Sequence, residues 1–133
     1  MLLQPKKVKF KKIKKGKLNR FKYKNNLTFG TIGLKALESG LITARQIEAA
    51  RQAIARKIKK KGKVWIKIFP NLPITKKPAE VRMGKGKGNI SHWAARVKGG
   101  SILFEICGVT HKIAVKACKT GSAKLPIKTQ IFD

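Results

Sequence analysis

Between Thr43 and Ile58 the apolar residues Ile47, Ala50, Ile54 and Ile58 recur every three or four positions, lining one face of a helix. Thr43 and Gln46 form a capping box at its start, the hydroxyl accepting from a first-turn N–H while the glutamine reaches back. Gly62 stands where a left-handed residue would end it. Arg45, Gln52, Arg56, Lys59 and Lys60 project from the opposite face, with Arg51 on the flank. A second helix is predicted from a Thr110 cap to about Thr120. Ile113, Ala114, Ala117 and Cys118 form its buried stripe, and Gly121 its stop.

Elsewhere the period is two. Val64, Ile66 and Ile68 alternate with Lys63, Trp65, Lys67 and Phe69, which predicts a strand over 63–69. Trp93, Ala95 and Val97 share a face, and Gly99-Gly100 signals a hairpin turn. The chain returns from Ser101 to Ile106 with Ile102, Phe104 and Ile106 inward. Leu27 to Leu37 is strand-like, with Gly30 and Gly33 suggesting a bulge or a close contact, and Ser39-Gly40 is a turn. Pro70, Pro73 and Pro78 predict a turn-rich connection, and Leu125 to Phe132 a last strand with Pro126 at its start or at an edge.

Charge changes the picture most. The 133 residues suffice for one domain with a core, and 42% of them are apolar. Yet 33 Lys and Arg face 5 Asp and Glu, a net charge of +28. Such a body repels itself unless a polyanion covers it; nucleic acid fits best and an anionic membrane surface second. The acids Glu38, Glu48, Glu80, Glu105 and Asp133 are too dispersed to suggest a carboxylate pair for acid–base work. Cys107 and Cys118 match neither a zinc spacing nor a disulfide framework and read as small hydrophobes of a reducing compartment. No run of about 18 apolar residues predicts a membrane span, and no secretory signal is visible.

Residues 1–26 hold ten lysines, one arginine and no acid, with Phe10, Ile13, Leu18, Phe21 and Tyr23 between them. This pattern predicts a basic arm that orders on its partner, distinct from a domain over 27–133. Arg82-Met83-Gly84-Lys85-Gly86-Lys87-Gly88 alternates glycine with lysine, an open backbone suited to a closely approaching polyanion. It is neither the dinucleotide fingerprint nor a P-loop, because the glycine spacing and the residue after the lysine are wrong. A competing enzyme reading pairs His92 and His111 as base and acid on an RNA backbone. A third, a DNA-compacting or membrane-surface protein, needs a regular amphipathic basic helix or a general DNA-binding fold, whereas the best helix here carries a narrow apolar stripe used by the core.

Several stretches together resemble the universal large-subunit ribosomal protein family called L-sixteen, in its bacterial and organellar form. They are Gln4-Pro5-Lys6, Phe29-Gly30, the helix run Leu41 to Arg51, Gly62 to Pro70, Pro73-Ile74-Thr75, Lys77-Pro78 and Lys124 to Thr129. The most specific is Arg82 to Gly88 followed by Trp93. The resemblance implies an α+β fold, a mixed, mainly antiparallel sheet with two packed helices, no cofactor and no catalysis. It implies large-subunit rRNA, A-site tRNA and neighbouring large-subunit ribosomal proteins as partners, with no membrane. Arg82, Met83, Gly84, Lys85, Gly86, Lys87 and Gly88 would form a tRNA-facing loop near the peptidyl-transferase region. Lys6, Lys7, Lys9, Lys11, Lys12, Lys14, Lys15 and Arg20 of the arm, with Arg45, Arg51, Arg56, Lys59 and Lys60 of the first helix, would meet rRNA.

Two departures bear on origin. Lys60 and Lys61 stand where relatives often carry arginine, replacing a bidentate fork by a point charge, and Asn19 to Asn26 is unusual for bacterial members. The lysine bias fits an A-rich genome, so the expectation is a protein made inside a mitochondrion, with a plastid or a bacterial cytoplasm as the alternative.

Overall fold

The computed structural model describes residues 3–18, 26–59 and 61–133. The elements are β1 (Ile32–Ala36), β2 (Gly40–Thr43), α1 (Ala44–Ile58), β3 (Lys63–Ile66), β4 (Leu72–Lys76), β5 (Asn89–Val97), β6 (Ile102–Cys107), α2 (His111–Ser122) and β7 (Thr129–Phe132). They form an α+β fold with two sheets, β3-β6-β1-β7 and β2-β5-β4, in place of the one mixed sheet expected. Every strand pair among the described residues is antiparallel. Ile42, Ile47, Ile54, Leu34, Phe104 and Ile106 are fully or almost fully buried in one core shared by helices and sheets.

The start of α1 follows from local chemistry. Gln46 N–H donates to Thr43 Oγ1 at 3.3 Å and Thr43 N–H to Gln46 Oε1 at 2.9 Å. Its end does not follow the expected glycine. Ile58 is the last buried residue, and Lys59 takes the left-handed cap at φ 51°, its N–H bonded to Ala55 O. Gly62 serves packing instead: a Cβ there would lie 2.5 Å from the Cys107 carbonyl oxygen, so glycine lets the chain pass tightly beside β6.

Gly121 likewise does not stop α2, which continues through Ser122. It lies buried where the helices meet, and a Cβ would stand 2.6 Å from Ile54 Cγ1. Ala114, Ala117 and Cys118 are buried as expected, whereas Ile113 is 40% exposed. Gly121→Val is expected to lower stability by about 2 kcal/mol through overpacking, read as a lower urea midpoint with an unchanged slope.

The predicted hairpin of 93–97 with 101–106 is not formed. β5 pairs with β2 and β4, and β6 with β1 and β3, so Gly99-Gly100 carries the chain from one sheet to the other. The crossing is held by Gly100 N–H to Ala36 O at 2.7 Å and Gly99 N–H to Ser39 Oγ at 2.9 Å. The real hairpin joins β4 to β5, with Lys76 opposite Asn89 at its mouth. Proline did not exclude β4, because Pro73 sits on an edge strand whose outer backbone has no ladder bond to lose. Ser39-Gly40 leads directly into β2, and the strands expected over 63–69 and 125–132 are shorter, at Lys63–Ile66 and Thr129–Phe132. A bulge between Leu34 and Lys35 turns Ile102 to the Gly33 side, away from the face of Phe104 and Ile106.

Candidate nucleic-acid interface

Residues 77–88 form the tip of the β4–β5 hairpin, and 81–87 are exposed throughout. Met83 is 98% exposed. Gly84, Lys85 and Gly86 have φ of 92°, 52° and 85°, three left-handed residues in succession. A Cβ at Gly84 or Gly86 would touch nothing within 4 Å, so these glycines are required by backbone angle and not by space. Gly88 is the reverse case: a Cβ would lie 2.6 Å from Lys76 O, so it closes the hairpin mouth. Lys77 Nζ donates to Gly84 O across the loop.

The structure brings the arm to this loop. Lys12 Nζ donates to Lys87 O at 2.8 Å, and Lys87 Nζ donates to Ile13 O at 2.7 Å. Arg96, on β5, donates through Nη2 to the carbonyls of Lys14 and Lys15. Leu3 packs against the core near α1. Lys6, Lys7, Lys9, Lys11, Lys12, Lys14 and Lys15 are all exposed. Arg20 and Lys60, with Phe21 and Tyr23, lie outside the described residues.

On α1, Arg45, Arg56 and Lys59 are exposed. Arg51 is committed nearer home: its Nε and Nη2 donate to Glu48 at 3.0 and 2.6 Å. That pairing holds the Glu48 carboxyl below its usual range and offers a partner less free charge than the other cations.

Sequence reasoning did not single out Glu105. Its side chain is fully buried in the middle of β6, and its carboxylate accepts the N–H groups of Phe29 at 2.7 Å, Gly30 at 2.9 Å and Thr28 at 3.3 Å. Lys67 Nζ is 3.7 Å away. Burial alone would raise this carboxyl, but the three donors and Lys67 outweigh it and hold it below the ordinary range. Gly30 permits the approach, since a Cβ there would stand 2.8 Å from Ile106 N, which accounts for the close contact expected at this glycine. A lone acid inside an apolar strand was the available signal. Arg96 and Lys77 were also missed, as single cations in a lysine-rich chain.

The residues of the enzyme reading are not assembled. His92 lies on β5 opposite Ile74, while His111 opens α2 and meets Asp133 at 3.4 Å. Burial, then Asp133, pushes the Cys118 thiol up to about 11, which leaves it inert at neutral pH. Among the described residues no cluster of His, Cys, Asp or Glu is arranged to hold a metal, and no helix is long and apolar enough to cross a membrane.

An exposed basic arm tied to a basic hairpin tip, with further exposed cations on the first helix, gives a cationic surface of the kind suited to nucleic acid. The family model described as Ribosomal protein L16p/L10e matches residues 5–132. Three relatives are each named large ribosomal subunit protein uL16. That of Blochmanniella pennsylvanica is 53% identical over 99% of this chain and 98% of its own. Those of Chelativorans sp. and Hyphomonas neptunium are each 57% identical, covering 99% and 98% of this chain and 97% and 95% of theirs. The chain belongs to the L16p/L10e family of ribosomal proteins, and is a ribosomal structural protein, not an enzyme. These relatives are bacterial and favour the bacterial ribosome over the mitochondrial one expected from lysine bias.

Proposed function

We propose that this chain is a structural constituent of the large ribosomal subunit, where it binds rRNA beside neighbouring large-subunit proteins and helps position A-site tRNA during translation. The observation that carries this is the family match across residues 5–132, which spans the arm from Pro5, the helix and the loop together. Arm lysines, with Arg45, Arg56 and Lys59, neutralise converging rRNA phosphates, while the domain over 27–133 fixes the base of the loop. Arg82 to Gly88 meet the tRNA near the peptidyl-transferase centre. Bond-making belongs to rRNA; the protein contributes placement.

The test separates tip from anchor. Lys85→Ala is expected to leave incorporation into large-subunit particles unchanged and to slow tRNA accommodation roughly tenfold, as for one lost charge-assisted contact. Lys87→Ala should add a second effect, because it also releases the Ile13 carbonyl of the arm. Normal accommodation by the double variant in assembled particles would remove the loop from the tRNA path. Bacterial cytoplasm is the compartment the relatives support. The mitochondrial reading has only the lysine excess behind it, and sedimentation with organellar large subunits would be its test.

A further inference from the structure

The face of β3 turned away from the half-buried Val64 and Ile66 is aromatic and basic, and the reading above leaves it unused. Register sets Trp65 opposite Glu105 and Lys63 opposite Cys107. Phe29 stacks on Trp65, with ring centroids 6.0 Å apart and planes at 23°. Lys67 Nζ stands 4.6 Å from the centroid of Phe29. The pair is held from beneath, because Glu105 accepts the Phe29 backbone N–H at 2.7 Å. Phe29 is nevertheless 56% exposed, and Phe69, further along, 50%.

Two hollows lie along residues 61–69. One, of about 640 Å³, is lined in part by Thr28, Lys67, Phe69 and Arg96. The other, of about 360 Å³, is lined by Trp65, Lys61 and Lys63 with the backbones of Gly62 and Gly108. Both volumes fall in the range of small-ligand clefts, about 300–1,000 Å³. β3 is also an edge strand, so its outer backbone edge has no strand partner among the described residues.

Charge identifies the occupant. Lys61, Lys63 and Lys67 surround the rings. Glu105 is buried, and Glu38, Glu48 and Asp133 are paired with Lys128, Arg51 and His111. An aromatic wall flanked by cations suits a planar group on an anionic chain, which is an unpaired nucleotide. Duplex RNA hides its base faces within the stack and presents only phosphate and groove edges.

We propose that Trp65 and Phe29, with Lys61 and Lys63, form a docking platform for unpaired RNA nucleotides, a base stacking against Trp65 while the lysines meet the flanking phosphates. This rests on the RNA-binding reading and adds to it a site selective for single strands.

The experiment uses the full chain in a Trp93→Phe background, where Trp65 is the remaining tryptophan of two. An unstructured RNA of about eight nucleotides, the span a stacking groove accommodates, is titrated against duplex RNA of equal phosphate content. The single strand is expected to quench Trp65 emission and the duplex to leave it unchanged. Trp65→Leu, in the native background, should weaken single-strand binding roughly tenfold without changing duplex affinity, and Trp65→Phe should restore most of the loss. Lys63→Ala should lower the salt dependence of single-strand binding. Equal effects of Trp65→Leu on both RNAs, or none on either, overturn the platform while RNA binding through the arm stands. Failure of the parent chain to bind either RNA at low salt overturns the RNA reading itself.

Discussion

Replacing Glu105 with alanine is expected to destabilise the isolated protein by about 3 kcal/mol or more, because it strands the backbone donors of Thr28, Phe29 and Gly30 in a buried site. Glu105→Gln keeps one acceptor oxygen and should cost less, roughly 1–2 kcal/mol. Urea denaturation separates the two. The carboxyl is held below its unfolded value, so its contribution is fully present above the ordinary carboxylate range. It is lost as pH falls through the lowered folded value. Wild-type stability should therefore decline in acid, and the Gln variant should show a flatter profile. Glu48 is half-buried at the surface and paired within its own helix, so it contributes less to that slope. Equal stability of Glu105→Ala and wild type, with the same acid profile, would mean that the 28–30 segment is not anchored by this group. The alanine variant should also loosen Phe29, and with it the aromatic face of β3.

Removing residues 1–26 should have the largest effect on RNA binding. The segment holds ten lysines. If about half of them reach phosphates, the slope of log K against log salt falls by about four, and affinity near 0.15 M salt drops on the order of a thousandfold. Filter binding to a large-subunit rRNA fragment across a salt series measures both. The remaining domain should stay folded, because among the described residues the arm supplies Leu3 but none of the buried core. An unchanged salt slope would show that the arm is a passive terminus. The loop should also gain freedom, since the bonds between Lys12 and Lys87 and between Lys87 and Ile13 disappear together.

The candidate interface was partly legible. The Gly–Lys alternation marked the loop, and the lysine run marked the arm, because charge and glycine content need no fold to be read. That the two meet was not legible: the bonds between residues 12–15 and residues 87 and 96 span more than 70 positions. Arg51 looked like any other cation of α1 until Glu48 was seen to occupy its guanidinium.

What the sequence determined by itself was local. The Thr43–Gln46 box and the apolar face of α1 arise from neighbours a few residues apart, whose geometry is set by the helical period. Partnership between distant segments was decided only by tertiary structure. Gly99-Gly100 crosses between sheets because β5 is claimed by β2 and β4, a long-range competition no dipeptide encodes. Lys59 took the left-handed cap because burial ended at Ile58, leaving Gly62 for close passage beside Cys107. Glu105 changed from an isolated acid to an anchor only when the fold delivered three N–H groups to it, since a buried charge is tolerated only where such partners converge.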